Sequence, residues 1–75
     1  MYGLVNTMSR NSECFGRVLS RHRTVGAAEQ ADTRLQRQVK RSNGQQSYLP
    51  TIIVELPKGH RYSWAYRSDC RQVER

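Results

Sequence analysis

Between Thr24 and Gly44 the chain has one ready solution. Val25, Ala28, Ala31, Leu35 and Val39 recur at spacings of 3, 3, 4 and 4, which lines one face of a helix. Thr24 offers an N-cap oxygen. Glu29 and Asp32 lie toward the positive end of the helix dipole, and Lys40 and Arg41 lie at the negative end. Asn43-Gly44 supplies the stop, with Gly44 as the C′ residue. The spacing predicts a helix over about 25–42. Such a helix must bury its apolar stripe against another layer, and the remaining apolar runs are β-prone, so that layer is a sheet.

CFGRVLS, residues 14–20, places Phe15 and Leu19 on one face with Arg17 between them, and Cys14, Gly16 and Val18 on the other. Gly16 marks a bulge or a close backbone approach. After Pro50, TIIVEL over 51–56 is the most β-prone run in the chain. Pro57-Lys58-Gly59-His60 is a turn. RYSWAYR over 61–67 then alternates, with Tyr62, Trp64 and Tyr66 on one face and Ser63 and Ala65 on the other. Two strands about a short Pro/Gly turn predict a hairpin.

Residues 1–13 show no sustained period and are expected to be a flexible N-terminal segment. Tyr2, Leu4 and Val5 amount to a short strand at most, and Met8 is an alternative start. Residues 68–75 are expected to be a charged C-terminal tail. The expectation is therefore α+β: a small single domain over 14–67 in β-α-β-β order, with one helix packed on a three-stranded sheet. If the first strand pairs with the second they are parallel with a right-handed crossover. If it pairs with the third they are antiparallel.

With Ile52, Val54, Tyr62, Trp64 and Tyr66 set against the helix, the open face of the sheet carries Thr51, Ile53, Glu55, Ser63 and Ala65. A partly apolar open face marks an interface. A second copy covers it most simply, so a homo-oligomer is expected.

The net charge of +7, from eleven Arg and two Lys against six acids, draws a chain of 75 residues toward polyanions. Arginine forks suit phosphate and base edges. In RLQRQVKR, Arg34, Arg37 and Arg41 fall opposite Leu35 and Val39, with Lys40 beside them. Arg21 and Arg23 precede the helix N-terminus, whose free N–H groups favour an anion. These six residues are the candidate nucleic-acid contacts, directed at phosphate and carrying no base readout. A solvated helix back and a simple Thr24 cap account for the same residues structurally. Tyr62, Trp64 and Tyr66, flanked by Arg61 and Arg67, form a possible base-stacking platform. A small domain needs its large aromatics for burial, so they are expected in the core.

No carboxylate pair, nucleophile–base pair or glycine-rich phosphate loop stands out, so no enzyme is expected. Cys14, His22, His60 and Cys70 are zinc-type donors without zinc-type spacing, so neither metal nor cofactor is expected. No run reaches membrane-span length and no apolar signal segment follows the N-terminus, which makes a cytoplasmic protein the default. The function expected is a small basic protein that binds DNA or RNA through phosphate contacts. The alternative is a protein-interaction module, an adaptor or inhibitor, that docks through the open sheet face or an edge strand.

Overall fold

Leu4 and Val5 are neighbours, and both are shut off from solvent. Neighbours in a strand point to opposite faces, so the strand that holds them is covered on both sides. The computed structural model, which describes residues 1–43 and 49–74, shows that strand, β1 (Tyr2–Asn6), at the centre of a five-stranded sheet. A single 3-10 turn, Thr7–Ser9, follows it. The other elements are β2 (Cys14–His22), α1 (Val25–Asn43), β3 (Thr51–Glu55), β4 (Trp64–Tyr66) and β5 (Arg71–Gln72). The strand order is β4-β2-β1-β3-β5, and every neighbouring pair is antiparallel.

The α+β class and the single helix match expectation, but the strand count and order do not. The segment expected to be flexible holds β1, and the expected tail holds β5. β1 escapes a periodicity search because it is buried on both faces and therefore does not alternate. β5 escapes it because it is only two residues long and both, Arg71 and Gln72, are polar and exposed where they pair with β3. A chain starting at Met8 would lack the central strand.

The predicted hairpin is also absent. The turn forms, with the His60 N–H donating to the Pro57 carbonyl at 3.1 Å and Gly59 at φ +80°. β3 and β4 do not pair after it, because β1 and β2 lie between them. The chain crosses to the far edge, where β4 pairs antiparallel with β2, the second of the two arrangements expected for that strand.

The faces of β3 are the reverse of the expected ones. Ile53 sits under the helix with Leu4 and Ala28, against Val25, Ala31 and Leu35. Val54 lies on the other face with Val5, Leu56, Ala65 and Cys70, and Ile52, Phe15 and Val18 pack against them. TIIVE is apolar on both sides, so its own pattern cannot fix its phase. Pairing with β1 fixes it, setting Ile53 opposite Leu4 and Ile52 opposite Val5. The second face is thus a core of its own within one chain. Full burial of Leu4, Val5, Ile53 and Val54 contributes about 1.5–3 kcal/mol per side chain.

The helix is tied down at both ends of its buried face. Thr24 Oγ1 accepts from the Ala27 N–H at 3.1 Å, as its cap role requires. Gln36 donates from Nε2 to the Leu49 carbonyl at 2.7 Å and accepts the Leu49 N–H on Oε1 at 3.0 Å. Asp32 Oδ1 accepts from the Thr51 hydroxyl at 2.6 Å and from Gln36 Nε2 at 3.1 Å. These polar residues fix the helix over the start of β3. The Gly44 stop and most of the connection after it lie outside the described residues.

Candidate nucleic-acid interface

β4 is three residues long, and alternation decides what it displays. Ala65 points inward, opposite Gly16 of β2, and is fully buried. Trp64 and Tyr66 must then point outward, and each is 37% exposed. Tyr62, just before the strand, is 59% exposed. The aromatics expected in the core therefore stand at the surface. Two small residues, Gly16 and Ala65, are paired on the buried face here. That Gly–Ala pairing was the available signal, but it needs the register to be known.

The rings of His60, Tyr62 and Tyr66 form a continuous group. Tyr62 meets Tyr66 edge-on, with centroids 5.7 Å apart and planes at 80°. It meets His60 edge-on on its other side, at 5.4 Å and 83°. Edge-to-face pairs of this kind are favourable and leave ring surface free. Trp64 is paired in register with Arg17 of β2, which is exposed. Asn6 pairs with the same Arg17, two residues along β1 from the helix-facing Leu4. Trp64 and Tyr66 thus project from the helix side of the sheet, at its edge strand, while α1 covers β1, β2 and β3. Between them lies a shallow concavity completed by Cys14, Asn11 and Glu13. Asn11 Oδ1 shapes its rim by accepting the Glu13 and Cys14 N–H groups at 2.7 and 3.0 Å.

Two arginines brace this region. Arg21 donates to the Tyr62 carbonyl at 2.7 Å and to His60 Nδ1 at 3.2 Å. Arg67 donates from Nε to the Asn11 carbonyl at 2.9 Å and stacks its guanidinium 4.7 Å from the Phe15 ring centre, a cation–π contact.

The six residues singled out from the sequence separate into groups. Arg21 turns to the aromatic group through its bonds to the Tyr62 carbonyl and His60. Arg23 is exposed in the bend between β2 and α1. Arg34, Arg37, Lys40 and Arg41 are exposed along α1, and Arg34 borders the concavity between α1 and β2 that Leu19 and Leu35 also line. Sequence reasoning missed Arg17, whose partner Trp64 only the β2–β4 register reveals.

A second cluster lies close by. A ring nitrogen of His60, the Asp69 carboxylate and Cys70 Sγ all lie within 4.8 Å of one another. These are the residue types of a thiol-dependent catalytic triad, but the hydrogen bonds run the wrong way for one. The Cys70 thiol donates to Asp69 Oδ1 at 3.4 Å, and His60 faces Arg21 and the Trp64 carbonyl. Burial, with help from Asp69, pushes the Cys70 thiol up to about 11, whereas a nucleophilic cysteine needs a lowered value. Cys14 and Cys70 are both free thiols.

Among the described residues no helix is long and apolar enough to cross a membrane. The chain matches no family model, no curated protein and no solved structure.

Proposed function

We propose that this protein binds single-stranded nucleic acid across the aromatic edge of its sheet, without catalysing a reaction. One observation carries the reading: Tyr62, Trp64 and Tyr66 stand exposed beside Arg17 and Arg21 in a chain of net charge +7. Every base has a π-face, so exposed aromatic rings bind successive bases with little sequence preference. Single strands offer unstacked bases to such a surface, and duplexes do not. Arg17 lies where a backbone phosphate flanking a base on Trp64 would need neutralising. Arg21 and Arg23, and the stripe Arg34, Arg37, Lys40 and Arg41, add sequence-independent attraction. A protein strand added along the β4 edge is the competing reading, favoured by the position of β4 at the edge of the sheet.

Trp64 is the only tryptophan, so the platform carries its own probe. Titration with single-stranded DNA or RNA at physiological salt should quench its fluorescence saturably, and duplexes of the same length should do so less. Replacing Arg34, Arg37 and Arg41 together by Gln should flatten the dependence of log K on log salt by about 2, since each single-strand phosphate contact adds roughly 0.7. Tryptophan emission unchanged by any nucleic acid, or weak binding equal for all forms and lost by physiological salt, would overturn the reading and leave the protein partner.

A further inference from the structure

We propose that His60, Asp69 and Cys70 form a binding site for a thiophilic divalent cation of the zinc type, clipping together the two connections that flank β4. The three residues come from separate places. His60 ends the turn between β3 and β4, and Asp69-Cys70 lies in the turn between β4 and β5. Only the crossing of the chain to the far edge of the sheet brings them together, which is why donor spacing along the chain carries no sign of it. His60 and Cys70 belong to the donor set noted in the sequence. The third member, Asp69, does not, and neither Cys14 nor His22 joins the cluster.

The geometry suits a small tetrahedral ion. Zinc takes sulfur at about 2.3 Å and carboxylate oxygen at about 2.0 Å, which places the two ligand atoms roughly 3.5 Å apart at a tetrahedral angle. Cys70 Sγ and Asp69 Oδ1 are 3.4 Å apart. A His60 ring nitrogen, an Asp69 carboxylate oxygen and Cys70 Sγ lie within 4.8 Å of one another, and a side-chain adjustment of about 1 Å completes three ligands, leaving a fourth position for water. One nitrogen, one oxygen and one sulfur donor favour zinc or cobalt over magnesium or calcium.

The surroundings of His60 support the same role. The Trp64 carbonyl, 3.1 Å from Nε2, can only accept, so Nε2 carries the proton and Nδ1 keeps its lone pair. A metal-bound histidine almost always donates its second ring N–H to such an acceptor. Nδ1 is met by Arg21 at 3.2 Å. An ion would displace that longer contact, and Arg21 would keep its 2.7 Å bond to the Tyr62 carbonyl. Asp69 is exposed and Cys70 buried, so the carboxylate offers the approach and the thiol the anchor. On binding, the thiol proton leaves to solvent and a metal–thiolate bond forms.

Cobalt(II) titration of the reduced full-length chain tests this directly. The expected result is a saturable sulfur-to-cobalt charge-transfer band at one ion per chain, with tetrahedral visible bands, both abolished by added zinc. Cys70→Ser should remove the charge-transfer band and Cys14→Ser should keep it. His60→Gln and Asp69→Asn should each weaken binding at least roughly tenfold, the scale on which even supporting partners of a metal site act. Absence of the band with cobalt in large excess, or its persistence in Cys70→Ser, would overturn the proposal. Should Cys70→Ser fail to fold by circular dichroism, unchanged affinity in both His60→Gln and Asp69→Asn would overturn it equally. The thiol–carboxylate hydrogen bond would then be a structural contact only.

Discussion

Gly16 of β2 lies directly against the main chain of Asn6 at the end of β1: a Cβ on Gly16 would collide with the Asn6 carbonyl oxygen. Its φ of +145° is closed to side-chain-bearing residues. Both constraints act where β2 bends between its partners, next to the register shift beside β4. Gly16→Ala is therefore expected to destabilise the protein by on the order of 3 kcal/mol or more. That rivals the whole stability of many domains this small, so urea unfolding followed by circular dichroism should show little or no native baseline.

Ile53 is fully buried between the sheet and α1. Glutamate there would place an unpaired carboxylate under the helix, a loss on the order of 4 kcal/mol. The expected result of Ile53→Glu is loss of cooperative unfolding. A folded protein that merely changes its sedimentation behaviour would instead mean that Ile53 meets a second copy on an open face.

Gln36 holds the Leu49 main chain with two hydrogen bonds. Gln36→Ala is expected to cost about 1–3 kcal/mol, the sum of two such bonds. The Leu49 amide should lose most of its protection against hydrogen exchange. Central β1 amides should keep theirs relative to the new global stability.

Tyr66 separates binding from folding. The residue is 37% exposed and its ring touches Tyr62 edge-on, a contact worth about 0.5–1.5 kcal/mol beyond the area it buries. Tyr66→Ala is expected to lose that contact and the burial of the covered part of the side chain, and to leave a cooperatively folded protein. Stacked bases are worth about 1–3 kcal/mol each, so single-strand affinity should fall roughly 5- to 150-fold. Chemical denaturation and fluorescence titration on the same sample compare the two effects. Unchanged affinity would mean that Tyr66 is not part of the platform.

The helix was legible because its information is local. The spacing of Val25, Ala28, Ala31 and Leu35, together with the Thr24 cap, depends only on residues within one or two turns of each other. The exposure of Arg34, Arg37, Lys40 and Arg41 follows from the same period. Strand-forming stretches over 14–20 and 51–56 were legible for a similar reason, through their β-branched and aromatic content.

What the tertiary structure decided was everything that depends on pairing. β1 carries too little alternation to announce itself, yet it occupies the centre and sets the phase of β3 by placing Leu4 against Ile53. β4 takes the outer edge of β2 and β5 the outer edge of β3, and Ala65 rather than Trp64 pairs with Gly16. The aromatics face outward as a result, Arg21 reaches Tyr62, and His60 comes up beside Asp69 and Cys70. A period of two says that a strand has two faces. Which face is inside is fixed by contacts between residues far apart in the chain, and those are set only when the strands meet.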